Sequence, residues 1–192
     1  MNVALYFGSF NPIHIGHLAI ANYALAFAPI DQLWFVVSPQ SPFKQKQSML
    51  DDYQRLELVN RAIEGDDRMK ASSIEFRLPK PSYTIDTLTY LQEEYPMHRF
   101  SLLMGADNLQ SFDKWKNYEQ ILSDYSLLVY PRPGIKLDDL PFDLSSVTQI
   151  DAPLMEISAS FIRTAIRDGR DIRHFLPAEV WKYIEEMNFY QK

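Results

Sequence analysis

Apolar residues fall along this chain in short continuous blocks, with longer stretches between them in which they recur every three or four positions. Val3–Phe7, Leu33–Val37, Arg99–Met104 and Tyr125–Tyr130 have the block pattern of strands buried on both faces. Met69–Phe76 and Val147–Ile150 read as further strands. Leu18–Ala28 is alanine-rich and predicts the helix that crosses over between the first two strands. Asp51–Gly65 predicts a second helix, with Asp51 or Asp52 as cap, Leu56, Val59 and Ile63 on one face, and Gly65 as the stop. A third starts within Pro81–Leu88, capped by Ser82 or Thr84 and carrying Ile85, Leu88 and Leu91 on one face. Ser158 is a cap for the helix bearing Ile162 and Ile166, and Pro177–Phe189 is the last, with Trp181, Ile184 and Met187 packed inward. Strands that alternate with helices predict an α/β fold, an open and mostly parallel doubly wound sheet. The expectation is one domain over residues 1–192, with a helical part from about 151 onward.

The candidate chemistry lies at the predicted strand ends, where open α/β sheets bind ligands. Gly8-Ser-Phe-Asn-Pro-Ile-His-Ile-Gly-His17 joins the first strand to its helix. Gly8 permits a sharp turn and Pro12 stiffens it. His14 and His17 stand three residues apart at the helix start, among free N–H groups and the positive end of the helix dipole. Gly16 leaves room above the turn. The assembly suits a phosphate. Three other readings weigh less. A zinc half-site would need a carboxylate as its third ligand, because the chain has no cysteine and four histidines in all. A purely structural pair leaves the glycine turn unexplained. A dinucleotide fingerprint lacks its three-glycine spacing. Ile157-Ser-Ala-Ser-Phe-Ile-Arg163 is a second helix start of this kind, with the Ser160 hydroxyl in its first turn and Arg163 one turn on.

Composition narrows the class. At 192 residues, 46% hydrophobic and 14% aromatic, the chain can bury a sizeable core. A formal net charge of −6 argues against a nucleic-acid partner, and the longest apolar runs are too short for a bilayer. Met1 leads straight into a strand with no signal-peptide pattern, and the expected location is the cytoplasm. An anionic ligand therefore needs local cations. Lys44 sits in the proline-containing loop Ser38–Lys46, and Arg132 sits in Arg-Pro-Gly134. Arg132 either faces a phosphate or lies in an exposed turn. Asp107, just beyond Gly105, either accepts from a ribose or caps a helix, and Trp115 either joins the core or stacks on a flat ring.

Gly8–His17 resembles the signature of the nucleotidyltransferases that carry a His-x-Gly-His motif. With Ser82-Tyr-Thr-Ile-Asp-Thr-Leu88 and Ile157–Arg163 added, the chain from about Val3 to its C-terminus is similar to the bacterial nicotinate mononucleotide adenylyltransferases. The resemblance implies a Rossmann-like nucleotidyltransferase fold and the joining of ATP to nicotinic acid mononucleotide, with release of pyrophosphate. It implies Mg²⁺ held mainly by the ATP phosphates, with no protein metal ligands. It assigns catalysis to His14, His17, Lys44 and Arg163. It places ATP against Gly8, Ser9, Phe10, His14, His17, Lys44, Gly105, Asp107, Ile157, Ser160 and Arg163, the last part of the chain completing that site. The acceptor would meet Gln40, Thr84, Trp115, the backbone of Lys116, and Arg132. Gln40 replaces a more usual asparagine, Ala159 a serine and Ser160 a threonine, so one hydroxyl is lost. Nicotinamide mononucleotide or another phosphate acceptor, and a non-catalytic nucleotide sensor, are the alternatives. Self-association is open.

Overall fold

The computed structural model describes residues 1–39, 49–135 and 145–191. Gln40, Lys44 and Lys46, and most of the acidic stretch after Ile135, lie outside them. Six strands form one sheet: β1 (Asn2–Gly8), β2 (Gln32–Val37), β3 (Met69–Ser72), β4 (Arg99–Gly105), β5 (Ser126–Tyr130) and β6 (Val147–Gln149). Their order is β3-β2-β1-β4-β5-β6, and every pairing is parallel. The helices of eight or more residues are α1 (Ile15–Phe27), α2 (Asp52–Ile63), α3 (Thr84–Glu94), α6 (Ala159–Arg167) and α7 (Ala178–Glu186). The shorter α4 (Ala106–Leu109) and α5 (Tyr118–Asp124) follow β4. This is the doubly wound arrangement the alternation predicts. The strand order reverses between β1 and β4, where such sheets open a crevice.

Alternation along each strand sends side chains to two cores. Ala4, Tyr6, Leu33, Phe35, Leu103 and Leu128 pack under α1, α2, α6 and α7. Val3, Leu5, Trp34, Val36, Leu102 and Leu127 pack under α3, α4 and α5. Parallel register brings the strand ends level: Gly8 pairs with Val37, and Gly105 with Tyr130. Residues just past those ends share one edge of the sheet. Among the described residues no helix is long and apolar enough to cross a membrane.

Several local expectations change. α1 starts at Ile15 rather than Leu18, which puts Gly16 and His17 inside its first turn. The strand expected over Met69–Phe76 stops at Ser72, where the Ser72 hydroxyl accepts from the Ile74 amide and residues Ile74–Phe76 wind into a 3-10 turn. α3 is preceded by Tyr83, whose side chain makes no cap, so neither Ser82 nor Thr84 caps it. Met187 is exposed rather than packed, because α7 ends at Glu186. Asp51 and Ser158 do cap α2 and α6, accepting from Tyr53 N at 2.9 Å and Phe161 N at 3.2 Å. Leu5 is fully buried in the central strand β1. Leu5→Ala should lower the unfolding free energy by about 2–5 kcal/mol in urea titration. A loss under about 1 kcal/mol would show that this core is looser than its burial indicates.

Candidate active site

β1 ends at Gly8, and the chain folds back through Ser9–Ile13 before α1 begins. Phe10 takes a left-handed conformation (φ 45°) and is buried beneath the turn. A side chain at position 8 would lie 2.9 Å from its ring, so only glycine allows that approach. His14 is the extended residue ahead of α1, and its carbonyl accepts from the His17 amide at 3.0 Å. The His14 amide in turn donates to His17 Nδ1 at 3.3 Å, which leaves the His17 proton on Nε2. The two imidazoles stack, with centroids 3.7 Å apart. Phe10 and Tyr6 stand edge-on behind His17. A Cβ at Gly16 would lie 3.0 Å from His14 Nδ1 and 3.6 Å from Ile157 Cβ, so a side chain there would press on the His14 ring where the stack meets the lead-in to α6. His14 Nδ1 is buried and has no hydrogen-bond partner among the described residues.

These groups form one wall of a cleft of about 380 Å³. Gly8, Ser9, Phe10, His14 and His17 face Tyr130 and Arg132, and Glu156, Ile157, Ser158 and Ala159 close the third side. Arg132 donates to Asp107 at 3.2 Å, and to the Tyr130 hydroxyl and the Met155 carbonyl at 3.4 Å each. Tyr6 and Tyr130 share a hydrogen bond of 3.1 Å beneath it, and burial pushes the Tyr6 phenol up, so it stays un-ionised. Arg163 does not line this cleft. It braces the turn, donating to the Asn11 carbonyl at 2.7 Å and to Ser160 at 3.3 Å. Asp107 reaches the cleft through Arg132, just beyond Gly105 at the end of β4.

A second cavity of about 340 Å³ lies on the other side of Phe7 and Gly8, which line both. Ser38, Pro39, Glu75, Lys80, Ser82, Thr84 and Trp115 complete its wall. Thr84 opens α3, so the unbonded amides of that helix start lie at this cavity. Trp115 is half-buried: it packs on Phe112 at 5.0 Å while lining the cavity. The Lys116 ammonium is bound to the Asp86 carboxylate at 2.8 Å and lies over the Tyr83 ring, so its side chain is engaged outside the cavity.

Sequence patterning missed Glu75. It is buried, accepts from Thr87 Oγ1 at 3.0 Å and from Ser38 and Ser82, and burial pushes its carboxyl up against those bonds. A lone acid after a strand gives no periodic signal. In the sequence Tyr6 and Tyr130 carry no signal beyond that of buried strand residues. Among the described residues no group of three or more His, Cys, Asp or Glu side chains gathers to hold a metal, and the stacked histidines have no third ligand for zinc.

Burial and the nearby Arg132 push His14 from its ordinary 6.5 down to about 4. Burial, His14 and Arg132 push His17 down as well. The unfolded chain therefore takes up protons near pH 6.5 that the folded protein refuses until about pH 4. The stabilisation is complete above the unfolded value and is lost as pH falls through the folded one. Urea titrations should show stability declining from pH 7.5 to pH 4.5, and His14→Gln should make that decline shallower. An identical slope in the variant would contradict a buried neutral His14.

The model of the cytidylyltransferase-like family matches residues 5–165. A Flavobacterium johnsoniae protein named "Probable nicotinate-nucleotide adenylyltransferase" is 50% identical, with 100% of each chain covered. One of the same name from Bacteroides fragilis is 50% identical over 94% of this chain and 89% of its own. The fold superposes on Plasmodium falciparum nicotinic acid mononucleotide adenylyltransferase complexed with NaAD, with a TM-score of 0.77 at 20% identity, covering 98% of this chain and 97% of the other. With its strand-end cleft, stacked histidines and full-length relatives, the chain belongs to the cytidylyltransferase-like family and, within it, to the nicotinate-nucleotide adenylyltransferases.

Proposed function

We propose that this protein transfers the adenylyl group of ATP to nicotinic acid mononucleotide, giving the deamido dinucleotide and pyrophosphate. The observation that carries this reading is the pair of cavities that meet at Phe7 and Gly8. One presents a helix start with two imidazoles. The other presents a tryptophan and a second helix start. A phosphate monoester bound between them is already ionised near neutral pH, so its oxygen attacks the α-phosphorus without a protein base, and pyrophosphate leaves. The protein's task is alignment and charge stabilisation.

His17, with its proton on Nε2, and His14 donate to phosphate oxygens as charge shifts towards the leaving group. Ser9, Phe10 and the amides of the turn shape the bed beneath the triphosphate. Arg132 shares the cleft with the histidines, which supports a contact with phosphate rather than with the pyridine ring. Gly105 and Asp107 take the ribose side, and Ile157 and Ser160 at the start of α6 close the nucleotide side, so the part from about 151 onward completes the site. Arg163 and Lys44 serve the β- and γ-phosphates, with Arg163 exchanging its bond to Asn11 for the ligand. Mg²⁺ held on the triphosphate oxygens and water would neutralise charge there. Thr84, Trp115, the Lys116 backbone and Gln40 form the acceptor side. Free amides at the start of α3 suit a carboxylate, which nicotinate carries and nicotinamide lacks.

Pyrophosphate release from ATP and Mg²⁺ should be strong with nicotinic acid mononucleotide and weak with its amide at equal concentration. Equal use of both would remove the selectivity, and silence with both would overturn the reading. His17→Ala should melt close to the native protein yet turn over roughly a hundredfold or more slowly. A folded variant with near-native turnover would contradict the role of His17.

A further inference from the structure

Arg55 has no place in the site as described, yet it is fully buried. It projects from α2 beneath the point where the two cavities meet. Its Nη1 donates to the Ser9 carbonyl at 2.6 Å and to the Ser38 carbonyl at 2.8 Å. Its Nε donates to the Leu50 carbonyl at 3.1 Å, and Nη2 pairs with Asp52. Ser9 lines the first cavity, and Ser38 lines the second. The Ser38 amide also donates to the Gly8 carbonyl at 2.9 Å. Asp52 extends the brace to Lys80, 3.7 Å away on the wall of the second cavity.

A buried ion pair is weak evidence of stabilisation, since well-packed apolar residues often do as well or better. What an apolar residue cannot do is hold two carbonyls from separate loops on a single nitrogen. We infer that Arg55 is a positioning residue for adenylyl transfer, fixing the rim of the nucleotide cleft against the rim of the acceptor cavity so that attacking oxygen and α-phosphorus meet in line. The inference rests on the two-cavity reading given above. It separates binding from chemistry. Each cavity keeps its own wall without Arg55, so each substrate should bind alone much as before. Only their mutual alignment is lost, and small misplacements of reacting atoms are costly in rate.

The test compares native protein, Arg55→Lys and Arg55→Met. Lysine keeps a cation opposite Asp52 and so favours folding, but its one ammonium, with three donors on a shorter reach, cannot hold the Ser9, Ser38 and Leu50 carbonyls and Asp52 together as the guanidinium fork does. For each folded protein, thermal melting is recorded, together with Kd for a non-hydrolysable ATP analogue, Kd for nicotinic acid mononucleotide, and kcat for pyrophosphate release. Arg55→Lys should stay folded and bind each ligand alone with nearly native affinity, while kcat falls about tenfold to a hundredfold. Native kcat in a folded variant would overturn the inference. So would a loss confined to the affinity of one substrate, which would make Arg55 part of one pocket. Failure of both variants to fold would make it a stability element instead. A native protein that releases no pyrophosphate would overturn the functional reading itself, so the two failures are distinct.

Discussion

Everything in this molecule that bears on chemistry depends on keeping the first turn of α1 unsatisfied towards a cleft while every other side of the turn is fixed. A helix start has amides without partners, and these attract anions only if they cannot relax into other bonds. Here five contacts hold the turn. The Phe10 ring fills the space beneath Gly8. Arg55 binds the Ser9 carbonyl from α2, and Arg163 binds the Asn11 carbonyl from α6. Tyr190 donates to Asn11 Oδ1 at 2.8 Å from the far end of the chain, and the Leu50 amide donates to the same oxygen at 3.2 Å. What remains for a ligand is the imidazole pair and the helix start.

Electrostatics follow from that packing. The chain is acidic overall, with a formal net charge of −6, yet the cleft wall carries Arg132 and neutral imidazoles over an aromatic bed. Neutral rings can sit stacked without mutual repulsion, and burial together with Arg132 keeps His14 in that state. Donors held rigid in a poorly solvated site need no reorganisation as charge develops, which is the efficient form of transition-state stabilisation. The arrangement also explains why position 16 is glycine, since a side chain there would push against the His14 ring.

Much of this was legible in the sequence, for identifiable reasons. Buried strands write themselves as apolar blocks, and candidate ligand groups in a doubly wound sheet lie just after them, so Gly8–His17 and the helix start at Ile157–Arg163 stand out from the residues themselves, whereas Thr84 and the ribose reading of Asp107 rest on the family resemblance. The polar interior could not. Arg55 occupies the buried stripe of α2 with Leu58, Val59 and Ile63, whereas Leu56 is only half-buried, so the true face is rotated from the one that apolar residues suggest. Its partners at Ser9 and Ser38 come from other loops, and no local pattern announces a carbonyl. Glu75 was hidden in the same way, because three hydroxyls rather than a neighbouring cation satisfy it. The bond from Arg163 to the Asn11 carbonyl is invisible in the sequence too, because it depends on where α6 docks.

The most direct test of the account is a structure with an ATP analogue, methylene-bridged between its α- and β-phosphorus, and nicotinic acid mononucleotide bound together. Phosphate oxygens should lie within hydrogen-bond distance of His14, His17 and the first amides of α1, with the pyridine ring on Trp115 and its carboxylate at the start of α3. A triphosphate seated away from the two histidines, or a pyridine ring outside the cavity lined by Thr84 and Trp115, would contradict it.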